Sequence, residues 1–143
     1  MLVNRYCART LLSCSLVLTQ LPRLFTTTSA LNMSQQDSVT ARVVFVTCPD
    51  EAVAKRLSRG LVEDQLAACV NVIHGVTSLY WWDGKIEETT EQMLVIKTEE
   101  KHVRELTDYV NSKHGYEVPE VISIKIDKGS ARYLDWIKDS VKP

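Results

Sequence analysis

Cys48, Cys69, His74, His102, His114, Glu117 and Glu120 are side chains able to hold a metal ion. None stands at the C-x-x-C or H-x-x-x-H spacing by which a closed metal site is read from sequence. Cys48 ends an apolar run at a strand-to-helix corner, where ligands gather in α/β layers; a small buried apolar residue is the plain alternative. Cys69 lies inside a strand pattern and reads as core. His74 reads as a bulge residue satisfied by backbone, and His102 as a solvated helix residue. The denser constellation is "KHGYEVPE" (113–120), where His114 ends a helix and two carboxylates, Glu117 and Glu120, follow. It reads either as a site or as a capped turn with exposed charges. Lys97 interrupts the apolar run "MLVIKT" on the face of Met93 and Val95. A lysine there must reach water or an acid, and Glu117 or Glu120 is the expected partner. Such a pair in a cleft is a site candidate, although structural pairs look the same. The sequence contains no nucleophile elbow, phosphate loop or dinucleotide fingerprint, so catalysis has no positive support.

The elements that must position these groups follow from periodicity. "ARVVFVT" (41–47) is a short β-branched run and predicts a central strand. Pro49-Asp50-Glu51 starts a helix to about Asp64, with Val53, Leu57 and Leu61 on one face. Gly60 inside it costs about 1 kcal/mol relative to alanine, which predicts close packing against a neighbour. Ala67 to Trp82 is strand-like, broken at His74-Gly75 by a bulge or bend. Asp83-Gly84 predicts a two-residue turn, and Ile86 to Thr98 returns. The polar run "EETTEQ" (87–92) near the turn reads as exposed. A second helix is predicted over 99–114, capped by Thr98 and closed by Gly115. "VISIKI" (121–126) is a strand, and Ser130 caps a last helix carrying Tyr133, Leu134, Trp136, Ile137 and Val141.

The order β, α, β, β, α, β, α implies an α+β fold: a ferredoxin-like split βαβ sandwich with an extended β-hairpin and a C-terminal helix. The outer half of the hairpin has no partner within one subunit. Tyr80, Trp81 and Trp82 near its tip are therefore expected as oligomer contacts, since a bare apolar arm invites aggregation. Folding back onto its own domain is the alternative.

The chain has 143 residues and a formal net charge of -1, which gives no signal for nucleic acid. Residues 1–36 differ in kind. They hold Arg5, Arg9 and Arg23, no acid, and much Ser, Thr and Leu. They read as a targeting leader, likened equally to a mitochondrial transit peptide and to a secretory signal; residues 37–143 are the folded domain. Met33 is an alternative start that would give a cytosolic form. Cys48 and Cys69, the cysteines beyond the leader, make no disulfide framework.

"VTCPDEAVAKRLSRGLVEDQLAACVNVI", "TSLYWWDGKIEE", "VIKT", "HGYEVPEVI" and "YLDWI" together resemble the CutA family of divalent-cation tolerance proteins, over roughly residues 41–141. The resemblance implies a tight homotrimer with hairpins extending sheets across subunits and clefts between neighbours. It implies copper binding, by analogy with bacterial members, and a link to acetylcholinesterase maturation or membrane anchoring, by analogy with animal members. It implies neither enzymatic activity nor an organic cofactor. Lys97, Tyr116, Glu120, Trp82 and Trp136 match the family pattern and are the expected inter-subunit cleft. The family's copper ligands fall at Val46 and at Lys113-His114, with Gly115 in place of a proline. His114 is thus the retained ligand, and Cys48, two residues from the family's cysteine position, is the expected second.

Overall fold

A computed structural model describes residues 39–143; the leader over 1–36 lies outside the described residues. Strand β1 (Ala41–Cys48) leads into helix α1 (Glu51–Glu63), whose first turn is capped by Asp50, its carboxylate accepting from the Val53 amide at 2.8 Å. Strands β2 (Cys69–Trp82) and β3 (Lys85–Glu99) form the long hairpin. Asp83 and Gly84 have φ of 45° and 79°, as a two-residue hairpin turn requires. Helix α2 (Val103–Lys113), strand β4 (Ile122–Lys125) and helix α3 (Ala131–Ser140) complete the chain. The sheet order is β2-β3-β1-β4, antiparallel throughout, which is the expected split βαβ topology.

One face of the sheet is closed. Val44, Val46, Leu94 and Ile96 meet Ala54, Leu57 and Leu61 of α1 and Leu106 and Val110 of α2 in a water-free core. A smaller cluster of Ala41, Ala68, Ile137 and Val141 anchors α3. The C-terminus is pinned as well. Lys142 donates its amide to the Gln65 carbonyl at 3.0 Å, and its own carbonyl accepts from His102 Nε2 at 2.8 Å. His102 is therefore buried, not solvated as its place in the sequence suggests.

The start of the second helix differs from expectation. Thr98 does not cap it. Its hydroxyl is buried and donates to the Leu66 carbonyl at 2.6 Å, so β3 runs on to Glu99. A 3-10 turn over Glu100–His102 then intervenes before α2. A tertiary hydrogen bond outcompetes the local cap.

Gly60 packs as its cost predicts. A Cβ there would run into the phenol oxygen of Tyr109 on α2. Gly60→Ala is expected to lower the melting temperature, because overpacking costs about 1–3 kcal/mol and exceeds the roughly 1 kcal/mol gain in helix propensity. In a Tyr109→Phe background the same change should recover part of that loss. Thermal unfolding of the three variants checks this.

Candidate functional site

The opposite face of the sheet carries no helix over most of its length, and it decides where the hairpin's rings go. Up to Ile73, odd-numbered residues of β2 share this face with odd-numbered residues of β3: Cys69 beside Lys97, Asn71 beside Val95, Ile73 beside Met93. A bulge follows between His74 and Val76, with Gly75 at φ 74°. The extra residue inverts the alternation. Beyond it Val76 pairs with Glu91, Tyr80 with Glu87 and Trp82 with Lys85, so even-numbered residues of β2 now lie on the open face. Leu79 and Trp81 are turned to the other side with Ile86, where they stand largely bare, Trp81 at 70% exposed. The three consecutive aromatics are thus sorted onto two faces.

Tyr80 and Trp82 line a cleft of about 390 Å³. Its floor includes Thr47 of β1 and Glu91 of β3, and its other wall is the α2–β4 loop with Tyr116, Glu117, Val118 and Glu120. Glu91 is 5% exposed and accepts a 3.3 Å hydrogen bond from the Tyr116 hydroxyl. The Tyr116 phenol is pushed up to about 12, chiefly by desolvation and then by the charge and hydrogen bond of Glu91. Gly115, at φ 100°, gives the loop the turn that lays Tyr116 beside the arm.

Of the expected cleft residues, one subunit brings together Tyr116, Glu120 and Trp82. Lys97 lies apart. Its ammonium donates to Asn71 Oδ1 and, at 2.9 Å, to the Val95 carbonyl, so its partner within the subunit is an amide and not Glu117 or Glu120. Trp136 is on α3, stacked on Tyr133 with ring centroids 5.3 Å apart. Tyr133 in turn contacts Cys69 Sγ at 3.5 Å. Glu91 and Thr47 were not foreseen. Glu91 hides in a run that reads as exposed, yet counting back by twos from Lys97 through Val95 and Met93 puts it on their face.

The groups expected to hold copper do not fit a ready metal centre. His114 is 1% exposed, with its Nε2 at 2.6 Å from the Thr47 carbonyl, which can only accept. Its Nδ1 accepts from the Tyr116 amide at 3.4 Å. These partners set the tautomer and occupy both nitrogens. Burial, then the charges of Glu91 and Asp50, push the Cys48 thiol up to about 12, whereas a metal needs the thiolate. Among the described residues no three His, Cys, Asp or Glu side chains form a group that could hold a metal ion. His74 is satisfied by a side chain and not by backbone: its Nδ1 lies 2.6 Å from Gln92 Oε1.

Known proteins resemble this chain in sequence and shape. Residues 42–140 match the family model described as CutA1 divalent ion tolerance protein. A Xenopus laevis CutA homolog is 57% identical over 97 residues, covering 68% of this chain and 64% of that protein. The Homo sapiens protein CutA is 52% identical over 94 residues, 66% of this chain and 52% of its own length. The chain therefore spans less than two thirds of these animal relatives. A Thermus thermophilus divalent-cation tolerance protein CutA is 41% identical, with 95% of its length covered. The crystal structure of CutA1 from Oryza sativa superposes with a TM-score of 0.71 at 43% identity, covering 73% of this chain and 98% of that one.

Two outcomes follow from the buried groups. His114→Ala should destabilise the fold by about 2–4 kcal/mol, since it leaves a cavity and an unpaired carbonyl; denaturant unfolding measures it. Cys48 and Tyr116 both hold their protons more tightly folded than unfolded, against ordinary values of 9.0 and 10.0. Their contribution to stability is complete below about pH 9 and is lost as pH rises towards 12. Cys48→Ala should make that alkaline decline shallower in unfolding curves taken across the range.

Proposed function

This chain belongs to the CutA1 divalent ion tolerance protein family, and from that membership we propose that it acts without catalysis, as a homotrimer that takes part in the response to divalent metal ions, copper among them. The family's description names divalent ion tolerance and no reaction. One observation carries the self-association: the face opposite α1 and α2, which α3 covers at one end, leaves apolar side chains uncovered. Ile122 and Ile124 of the edge strand β4 are each 53% exposed there, Ile73 of β2 is half exposed at the other edge of the same face, and the arm leaves Leu79, Trp81 and Ile86 bare. Apolar area of this kind along a sheet with open edges calls for a partner, and a second copy offers the same arm. Three copies is the number the family resemblance implies. In such an assembly Lys97 and Trp136 of one copy would approach the cleft of another.

His114 is already hydrogen-bonded at both ring nitrogens within the subunit, and the Cys48 thiol holds its proton. A metal taken up there would have to displace the Thr47 carbonyl and a thiol proton, so binding should be weak. The second reading is a scaffold for a protein partner, such as the acetylcholinesterase complex, and the bare tip at Trp81 favours it. On either reading residues 37–143 are the working domain and residues 1–36 an address segment, mitochondrial or secretory, with Met33 as the start of a cytosolic form.

A native mass spectrum of the full chain, with and without limiting copper(II), tests the proposal. The expected spectrum is a trimer that gains copper, up to one ion per chain. A monomer would overturn the assembly, and a trimer that stays metal-free would shift the reading to the protein scaffold.

A further inference from the structure

Helix α3 has little of its own to hold it in place. Ser130 stands at its N-cap position without a capping side-chain bond, and Ile137 is the buried residue of its ten. The apolar cluster beneath it, Ala41, Ala68, Ile137 and Val141, is small. An element with so few buried contacts opens more readily than the main core. On its outer side Tyr133 and Trp136 are stacked and exposed.

Lys142, two residues beyond the helix, makes up the difference. Its amide donates to the Gln65 carbonyl at 3.0 Å, just after α1. Its carbonyl accepts from His102 Nε2 at 2.8 Å, in the turn before α2. Its ammonium meets Glu105 of α2 at 2.6 Å. One residue thus ties α3 to the ends of both other helices. The two backbone contacts matter most. Gln65 holds φ 54°, a left-handed conformation that few residues other than glycine adopt. His102 is 4% exposed, and its N–H would lose its acceptor inside the protein if the segment lifted; a buried donor without an acceptor is costly. The Glu105 pair is exposed and contributes little.

The stack on α3 is continuous with the open face of the sheet. Tyr133 lies 3.5 Å from Cys69 Sγ, and Cys69 stands beside Lys97 on that face. It is the face assigned above to self-association. A helix free to lift would have to be ordered when a second copy arrived, and ordering at an interface costs affinity.

We propose that Val141-Lys142 is a strap, with His102 as its positioning residue, which fixes α3 so that the Tyr133–Trp136 stack is already in the pose a second copy of this chain packs against. The strap rests on the homotrimer reading and is independent of copper at His114 and Cys48.

Two measurements on the full chain test it: amide hydrogen exchange resolved by peptide, and subunit exchange between isotope-labelled and unlabelled copies followed by native mass spectrometry. The variants are a chain ending at Val141, His102→Leu, which removes the donor, and His102→Gln, which keeps an N–H at the same reach. In the first two, exchange over 131–140 should quicken about tenfold, as for a buried donor parted from its acceptor, while 51–63 and 103–113 keep their rates. Subunit exchange should quicken by a similar factor, and His102→Gln should restore most of both. Unchanged exchange over 131–140 would overturn the proposal. So would equal quickening in all three helices, which marks a general loss of stability. Faster exchange in α3 with subunit exchange unaltered would also overturn it, as would His102→Gln behaving like His102→Leu. A monomeric unaltered chain would overturn the homotrimer reading and the strap with it, and that outcome is recognised before any substitution is made.

Discussion

One extra residue in β2 governs the functional half of this molecule. A strand alternates faces every residue, so an arm of this length would otherwise carry Trp81 to the open face and point Tyr80 and Trp82 away from it. Gly75, in a left-handed conformation that few other residues adopt without strain, absorbs one residue and reverses the assignment. The proximal half of β2 can then present Asn71 to Lys97 on the same face to which the distal half presents its two rings. Neither arrangement could be kept with the other if the strand were regular.

The core supplies rigidity for this device. The helices close one face with aliphatic side chains, and their own tight crossing at Gly60 and Tyr109 holds the pair in place. His114 extends the support to the cleft. By donating to the Thr47 carbonyl and accepting from the Tyr116 amide, it ties the α2–β4 loop to the end of β1. Its ring lies 4.9 Å from that of Tyr116, between centroids, so the cleft wall rests on it. A residue that looks like a metal ligand in the sequence is a strut in the fold.

Local patterns made much of this legible. The strand periods, the Asp83-Gly84 turn, the Asp50 cap and the bulge at His74-Gly75 are written in neighbouring residues, and they suffice for the topology. The expectations that went astray involve partners distant in sequence. Thr98 is drawn from its cap by Leu66, His102 is buried by Lys142, and Lys97 finds Asn71 where an acid was expected. Glu91 was the instructive omission. Its neighbours are polar and its composition says solvent, but its parity with Met93, Val95 and Lys97 places it inside the cleft. Periodicity carried more information there than residue type.

The most direct test of this account is the 19F NMR spectrum of 3-fluorotyrosine-labelled chain, unaltered and as Gly75→Val. The arm beyond the bulge lies outside the main core, so the change should leave the helical layer intact. In the unaltered chain the Tyr80 signal should move when Glu91→Gln is introduced, because the two share a face and a cleft. A β-branched residue resists the left-handed φ of 74° at this position, so in Gly75→Val residue 75 should join the ladder opposite Glu91, carry Tyr80 to the other side and abolish that response. A Tyr80 signal that ignores Glu91 in the native chain, or that responds equally in Gly75→Val, would contradict the claim that the bulge builds the site.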